Sequence, residues 1–162
     1  MKNFNLTHLS ALLVEKHHPM RAMLREILRE LGIRKIYDVS NTKSGFEVFN
    51  SEGPDLVLID WAPNFDGIGL LNKIRTDPES LNPFVPVIMV TAHSEATRVI
   101  EARDAGMTEY LTKPVSAKRL YQRISAIVET ERPFVRISEF FGPDRRRKKA
   151  EPKGQDRREK SD

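Results

Sequence analysis

Apolar residues along the chain fall into short unbroken runs, separated by longer stretches in which they recur every three or four positions. The clearest run is Leu56-Val57-Leu58-Ile59, set between Gly53-Pro54 and Asp60. Its length, β-branched residues and bordering turn residues predict a strand buried on both faces. Ser10 to Glu15 and Val85 to Thr91 repeat the pattern, the second tolerating Pro86 near its start. Arg34 to Val39, with apolar Ile36 and Val39, and Glu109 to Thr112 predict two shorter strands.

The intervening stretches have helical spacing. Pro19 suits a first helical position, and Met20, Met23, Leu24, Ile27, Leu28 and Leu31 follow before Gly32 closes the helix. Thr42 to about Asn50 predicts a second helix that buries Phe46 and Phe49. After the loop 62–67, Ile68, Leu71 and Ile74 mark a third, and Leu81 to Phe84 form a Pro-broken loop. Ser94 is expected to cap a fourth helix running through Ala105 to Gly106. Ser116 opens a fifth, carrying Leu120, Ile124, Ile127 and Val128 to about Thr130.

Five strands alternating with five helices predict an α/β protein with a parallel sheet and helices on both faces, because each crossover is long enough for parallel pairing. Two arrangements fit this count, a Rossmann half and the flavodoxin-like order 2-1-3-4-5. The Gly-x-Gly-x-x-Gly of a dinucleotide site follows none of the strands, which favours 2-1-3-4-5. One folded domain over 8–130 is expected, followed over 131–162 by an apolar segment and a basic, disordered tail.

Parallel strands bring their closing residues to one edge: Glu15 after the first, Asp60 after the third, Thr91 after the fourth and Lys113 after the fifth. Taken alone, Asp60 reads equally well as a turn residue. Taken together, two acids, a hydroxyl and an ammonium suit phosphoryl transfer, in which a carboxylate accepts the group and cations and donors neutralise its oxygens. Ala92 leaves room beside Thr91.

Composition removes several alternatives. The chain has no cysteine, hence no disulfide framework, thiolate nucleophile or Cys-ligated metal. It has neither a run of membrane-spanning length nor the apolar core of a signal peptide, so a cytoplasmic protein is expected. Of 27 Lys and Arg and 23 Asp and Glu, nine basic and five acidic residues lie from Gly142 onward, leaving 18 of each in residues 1–141. The tail therefore carries the whole excess of +4, and the high pI gives no sign of a nucleic-acid-binding face on the body.

With these residues in place, the chain resembles a receiver domain of bacterial two-component response regulators. The likeness rests on Leu13-Val14-Glu15 with Pro19-Met20-Arg21, Leu58-Ile59-Asp60-Trp61 with Pro63 and Asp66-Gly67, Val90-Thr91-Ala92, Ala105-Gly106, and Tyr110 with Lys113-Pro114. The resemblance implies phosphorelay signalling: Asp60 phosphorylated by a sensor histidine kinase or phosphotransfer protein, Thr91 and Lys113 contacting the phosphoryl group, Tyr110 at the switch position, and signalling by docking a downstream partner. It implies no enzyme beyond the chain's own phosphorylation and dephosphorylation. It also implies Mg2+ held by Glu15 and Asp60.

Two departures from the family pattern bear on that metal. The usual second acid after the first strand is Lys16, and only Trp61 and Ala62, rather than three residues, separate Asp60 from Pro63. Exchanging a carboxylate for an ammonium weakens a magnesium site. At about 4 Å and an effective dielectric near 20, a Lys16–Asp60 pair would be worth roughly 4 kcal/mol before desolvation, so Lys16 is expected to replace part of the ion's charge. Phosphorylation should then be slow, weakly magnesium-dependent or absent, and the last case makes the chain a pseudo-receiver interaction module. An aspartate-nucleophile phosphohydrolase would need a second Asp where Ala62 stands, and a flavodoxin-like FMN carrier would need a hydroxyl- and Gly-rich loop after the first strand. His17 and His18 read as a solvent-facing pair rather than metal ligands. In the tail, residues 134–141 are too apolar for a plain linker and are expected to dock on the domain or on a partner, while Arg145, Arg146, Arg147, Lys148 and Lys149 offer a contact for an anionic partner.

Overall fold

The computed structural model describes residues 4–92 and 95–129, together with the backbone of 134–137 and 140–143. Strands β1 (Ser10–Val14), β2 (Lys35–Val39), β3 (Leu56–Asp60), β4 (Val87–Thr91) and β5 (Glu109–Thr112) form one sheet in the order β2-β1-β3-β4-β5. All four pairings are parallel. Helices α1 (His18–Glu30), α2 (Thr42–Glu52), α3 (Gly67–Thr76), α4 (Ala96–Asp104) and α5 (Ala117–Glu129) fill the crossovers. The flavodoxin-like arrangement expected from the apolar pattern is the one observed.

Alternation along the buried strands splits the core in two. Val57 and Ile59 of β3 join Leu12 and Val14 of β1 and Val87 and Met89 of β4 against α2, α3 and α4, where Phe49, Leu70, Leu71 and Ile74 close the layer. Leu56 and Leu58, with Leu13, Ile88 and Val90, face α1 and α5 through Leu24, Leu28, Leu120 and Ile124. A strand covered on both sides has no solvated face, which is why these runs read as continuous rather than alternating hydrophobics. Packing extends ahead of residue 8: Leu6 is buried and the Phe4 N–H donates to the Tyr121 hydroxyl at 3.1 Å.

Local chemistry sets the element ends. Gly32 (φ 104°) follows α1 and Gly106 (φ 96°) follows α4. At each, two successive N–H groups return to the last turn: Gly32 to Arg29 and Ile33 to Leu28, Gly106 to Arg103 and Met107 to Ala102. Asn41 caps α2 by accepting from Ser44 N–H at 2.8 Å, and Asp66 caps α3 by accepting from Gly69 N–H at 2.8 Å. Helix α2 runs two residues past its expected end, to Glu52, before Gly53 turns the chain. Strand β4 begins at Val87, not Val85, because Pro86 has no N–H for the ladder; its carbonyl still accepts from Val57 N–H at 3.0 Å. The expected Ser94 cap lies outside the described residues; α4 starts after Glu95 without a side-chain cap from that residue.

Beyond the parallel sheet, β6 (Phe134–Ile137) and β7 (Phe140–Pro143) pair antiparallel, and β7 runs beside α3 with Cα atoms within 8 Å. Arg145 to Lys149 lie outside the described residues. Among the described residues no helix is long and apolar enough to cross a membrane.

One charged side chain sits where the apolar pattern gave no hint of it. Arg75, near the end of α3, is only 2% exposed. Its Nε donates to the Gly106 carbonyl at 2.9 Å, its Nη1 to the carbonyls of Pro83 at 2.9 Å and Val85 at 2.6 Å, and its Nη2 to the Thr108 hydroxyl at 3.4 Å. Burial pushes the guanidinium well down, to about 9, still charged at neutral pH. It ties the end of α3 to the loops entering β4 and β5. Arg75→Met keeps the apolar stem but strands those acceptors, and should lower unfolding stability by about 2–4 kcal/mol in urea titration, with little change in the far-ultraviolet circular dichroism of the folded state.

Candidate functional site

Four strand ends converge as the parallel topology requires. Asp60 is the last residue of β3 and is 3% exposed, while Glu15, one residue past β1, is 1% exposed. Lys113, one residue past β5, reaches both: its Nζ donates to Asp60 Oδ1 at 2.8 Å and stands 3.5 Å from Glu15 Oε2. Its own backbone N–H continues the β4–β5 ladder by donating to the Thr91 carbonyl at 2.9 Å. The Lys113–Pro114 peptide is cis.

Thr91, fully buried at the end of β4, donates its hydroxyl to the Trp61 carbonyl at 2.7 Å. Tyr110 on β5 shares a side-chain hydrogen bond with Thr91, and burial raises its hydroxyl above the ordinary 10.0 despite that bond. A chain of two hydroxyls thus connects β5 to the loop after Asp60.

That loop absorbs its missing residue by turning tightly. Phe65 N–H donates to the Ala62 carbonyl at 2.9 Å, with Pro63 and Asn64 at the tip. Helix α3 then starts directly against the end of β3, and a Cβ on Gly67 would lie 2.2 Å from the Asp60 carbonyl oxygen. Only glycine fits there. Trp61 is buried beneath the guanidinium of Arg98 from α4, 5.5 Å above the ring, and a pocket of about 450 Å³ opens over the loop between Trp61 and Arg98.

Glu15 is held from both sides. Its Oε1 accepts from His17 N–H at 3.0 Å, and its carbonyl accepts from Arg21 Nη1 at 2.8 Å, while the same Arg21 bridges to Asp38 at the end of β2. Among the described residues, Glu15 Oε2 is buried with no hydrogen-bond partner, only the longer ion-pair contact with Lys113. Burial therefore raises its carboxyl above the ordinary 4.5, with the Asp60 charge adding to the effect and the His17 N–H and Lys113 opposing it.

Lys16 does not join this cluster. It is exposed and makes no hydrogen bond or ion pair among the described residues, so the cation beside Asp60 is Lys113. Adjacent side chains leaving a strand point to opposite sides, which sends Glu15 inward and Lys16 out. His17 and His18 are likewise exposed. Among the described residues there is no group of three or more His, Cys, Asp or Glu able to hold a metal. Two carboxylates with one orphaned oxygen fit a hard cation that keeps most of its water. The nearby carbonyls of Trp61 and Ala62 each already accept one hydrogen bond, from Thr91 and from Phe65. Sequence reasoning assembled Glu15, Asp60, Thr91 and Lys113 but missed Arg21, Arg98 and the steric role of Gly67.

A doubly wound α/β module with a buried acid–lysine cluster around Asp60 at its strand ends is the architecture of a signalling receiver. The chain matches the response regulator receiver domain over residues 11–125 and belongs to that family. It is 31% identical over 123 residues to the chemotaxis protein CheY-3 of Vibrio cholerae, covering 75% of this chain and 93% of that one. It is 32% identical over 119 residues to the chemotaxis protein CheY of Pseudomonas aeruginosa, covering 73% and 94%. In fold it is similar to a CheY-like receiver domain protein of Methanospirillum hungatei, with a TM-score of 0.65, 24% identity and coverage of 75% and 94%.

The folded chain holds the Glu15 proton more tightly than the unfolded chain does. Stability from this group is therefore highest at acid pH and falls as pH rises from about 4.5 through the raised folded value. Glu15→Gln removes a charge that burial disfavours, so its urea midpoint should exceed the parent's at neutral pH. The two should converge below about pH 4.

Proposed function

We propose that the chain is a phosphorelay receiver that accepts a phosphoryl group on Asp60 from a histidine kinase or phosphotransfer protein and signals by docking a partner. The observation that carries this reading is the buried Asp60 carboxylate at a strand end, with Lys113 Nζ 2.8 Å from it and Glu15 and Thr91 at the neighbouring strand ends. In the transfer, an Asp60 carboxylate oxygen bonds to phosphorus as the bond from phosphorus to the donor's imidazole nitrogen breaks. The Lys113 ammonium then shifts its donation from the carboxylate to a phosphoryl oxygen, and the Thr91 hydroxyl exchanges the Trp61 carbonyl for another. Breaking the Thr91–Trp61 bond frees Tyr110 to repack, which supplies the two-state element that docking would read.

Glu15 and Asp60 are the residues that would hold Mg2+, which when bound supplies positive charge opposite the phosphoryl oxygens. Lys113 already lies between the two acids, and one carboxylate fewer than the family pattern leaves the ion weakly held. Magnesium therefore accelerates labelling modestly. The basic residues Arg145 to Lys149 extend the reading to an anionic partner, whose affinity would fall steeply with salt.

Incubation with acetyl phosphate, followed by intact-mass measurement, tests this. Slow growth of an adduct of about 80 Da is expected, rising a few-fold with millimolar Mg2+ and absent in Asp60→Asn. Trp61 fluorescence should titrate with Mg2+ only in the millimolar range. Fast labelling that stops entirely without Mg2+ would overturn the weak-metal reading. A parent chain that takes no phosphate from acetyl phosphate or a kinase would make it a pseudo-receiver.

A further inference from the structure

We propose that Arg119 is a positioning residue for Lys113, fixing the peptide on both sides of that lysine so that its ammonium stays on Asp60 and Glu15. The catalytic consequence rests on the phosphoryl-acceptor reading above, whereas the positioning itself does not.

Arg119 lies three residues into α5, and its guanidinium turns back over the end of β5. Its Nη1 donates to the Thr112 carbonyl at 2.9 Å and to the Pro114 carbonyl at 2.8 Å, and its Nη2 donates to the Thr112 hydroxyl at 2.7 Å. Thr112 and Pro114 are the residues immediately before and after Lys113, so one planar group spans the lysine. The third tie comes from the sheet, where the Lys113 N–H donates to the Thr91 carbonyl at 2.9 Å. Arg119 is itself anchored: Ser116 caps the helix by accepting from Arg119 N–H at 3.2 Å, and the Ser116 carbonyl accepts from Leu120 N–H at 3.0 Å. The result is a closed loop from Thr112 to Arg119 with the functional lysine at its second position.

Lys113 needs such a restraint because packing does not supply one. Its side chain is 21% exposed and carries the ammonium on a flexible four-carbon stem, so the point from which the backbone launches it helps set where the ammonium sits. A rigid fork that reaches three acceptors in two residues is something arginine provides and lysine does not.

Limited acetylation of the full chain with an N-hydroxysuccinimide ester, read by peptide mass mapping, measures how well Lys113 is held, with exposed Lys16 and Lys118 as internal references. In the parent, Lys113 should react more slowly than both. Arg119→Gln should raise its rate roughly three- to tenfold, the factor expected in a local equilibrium from losing one or two hydrogen bonds. Arg119→Lys should restore only part of the protection, Lys118→Gln should leave Lys113 unchanged, and Thr112→Val, which removes one acceptor, should shift it in the same direction by less. Where Arg119→Gln does not fold, Arg119→Lys and Thr112→Val decide the question. Lys113 reactivity within twofold of the parent in folded Arg119→Gln, or unchanged in both Arg119→Lys and Thr112→Val where Arg119→Gln does not fold, would overturn the proposal. Acetyl phosphate labelling in the same set should slow in the same order. A parent that takes no phosphate removes the phosphoryl reading but leaves the acetylation result to decide the positioning.

Discussion

Two carboxylates share one ammonium beneath the edge of this sheet, and most of what is distinctive about the molecule follows from that imbalance. Asp60 and Glu15 are both withdrawn from water, and Lys113 neutralises one of them at contact distance while reaching the other only loosely. A buried charge without full compensation is costly. Such a site is unstable by design toward anything that changes its charge, which is the property a switch requires.

The surrounding fold is organised to keep that cluster in place. Parallel pairing puts the strand ends in register, and two apolar layers fix the strands from both faces. Three arginines then fasten helices to strand ends or loops: Arg21 from α1 to the Glu15 carbonyl, Arg75 from α3 to the loops entering β4 and β5, and Arg119 from α5 to the peptide around Lys113. Each directs a delocalised cation at backbone carbonyls, satisfying acceptors that loops leave without a ladder partner.

Much of this was legible in the sequence. Unbroken apolar runs gave three of the five strands and shorter mixed segments the other two, and the polar residues closing four of them gave Glu15, Asp60, Thr91 and Lys113, because parallel strands place such residues at one edge. The direction of a side chain just beyond a strand was not legible: Glu15 and Lys16 are neighbours, yet one is buried and the other solvated. Nor were the arginines, since a guanidinium at a polar helical position has the same signature whether it meets water or a carbonyl. Arg75 made the ambiguity sharpest, lying beside Ile74 yet deep in the structure. The shortened loop was visible as a count of residues, but its closure by the Ala62–Phe65 turn depended on the chain around it.

Gly67 carries a constraint that reaches past its own position. With no room for even a methyl group between the start of α3 and the Asp60 carbonyl, the helix and the strand end form one mechanical joint, and a displacement of either is transmitted to the other without slack. Variation in this connection is thereby confined to the Pro63–Asn64 tip. The hinge side of the loop is closed to insertion, while its outer rim remains open to change.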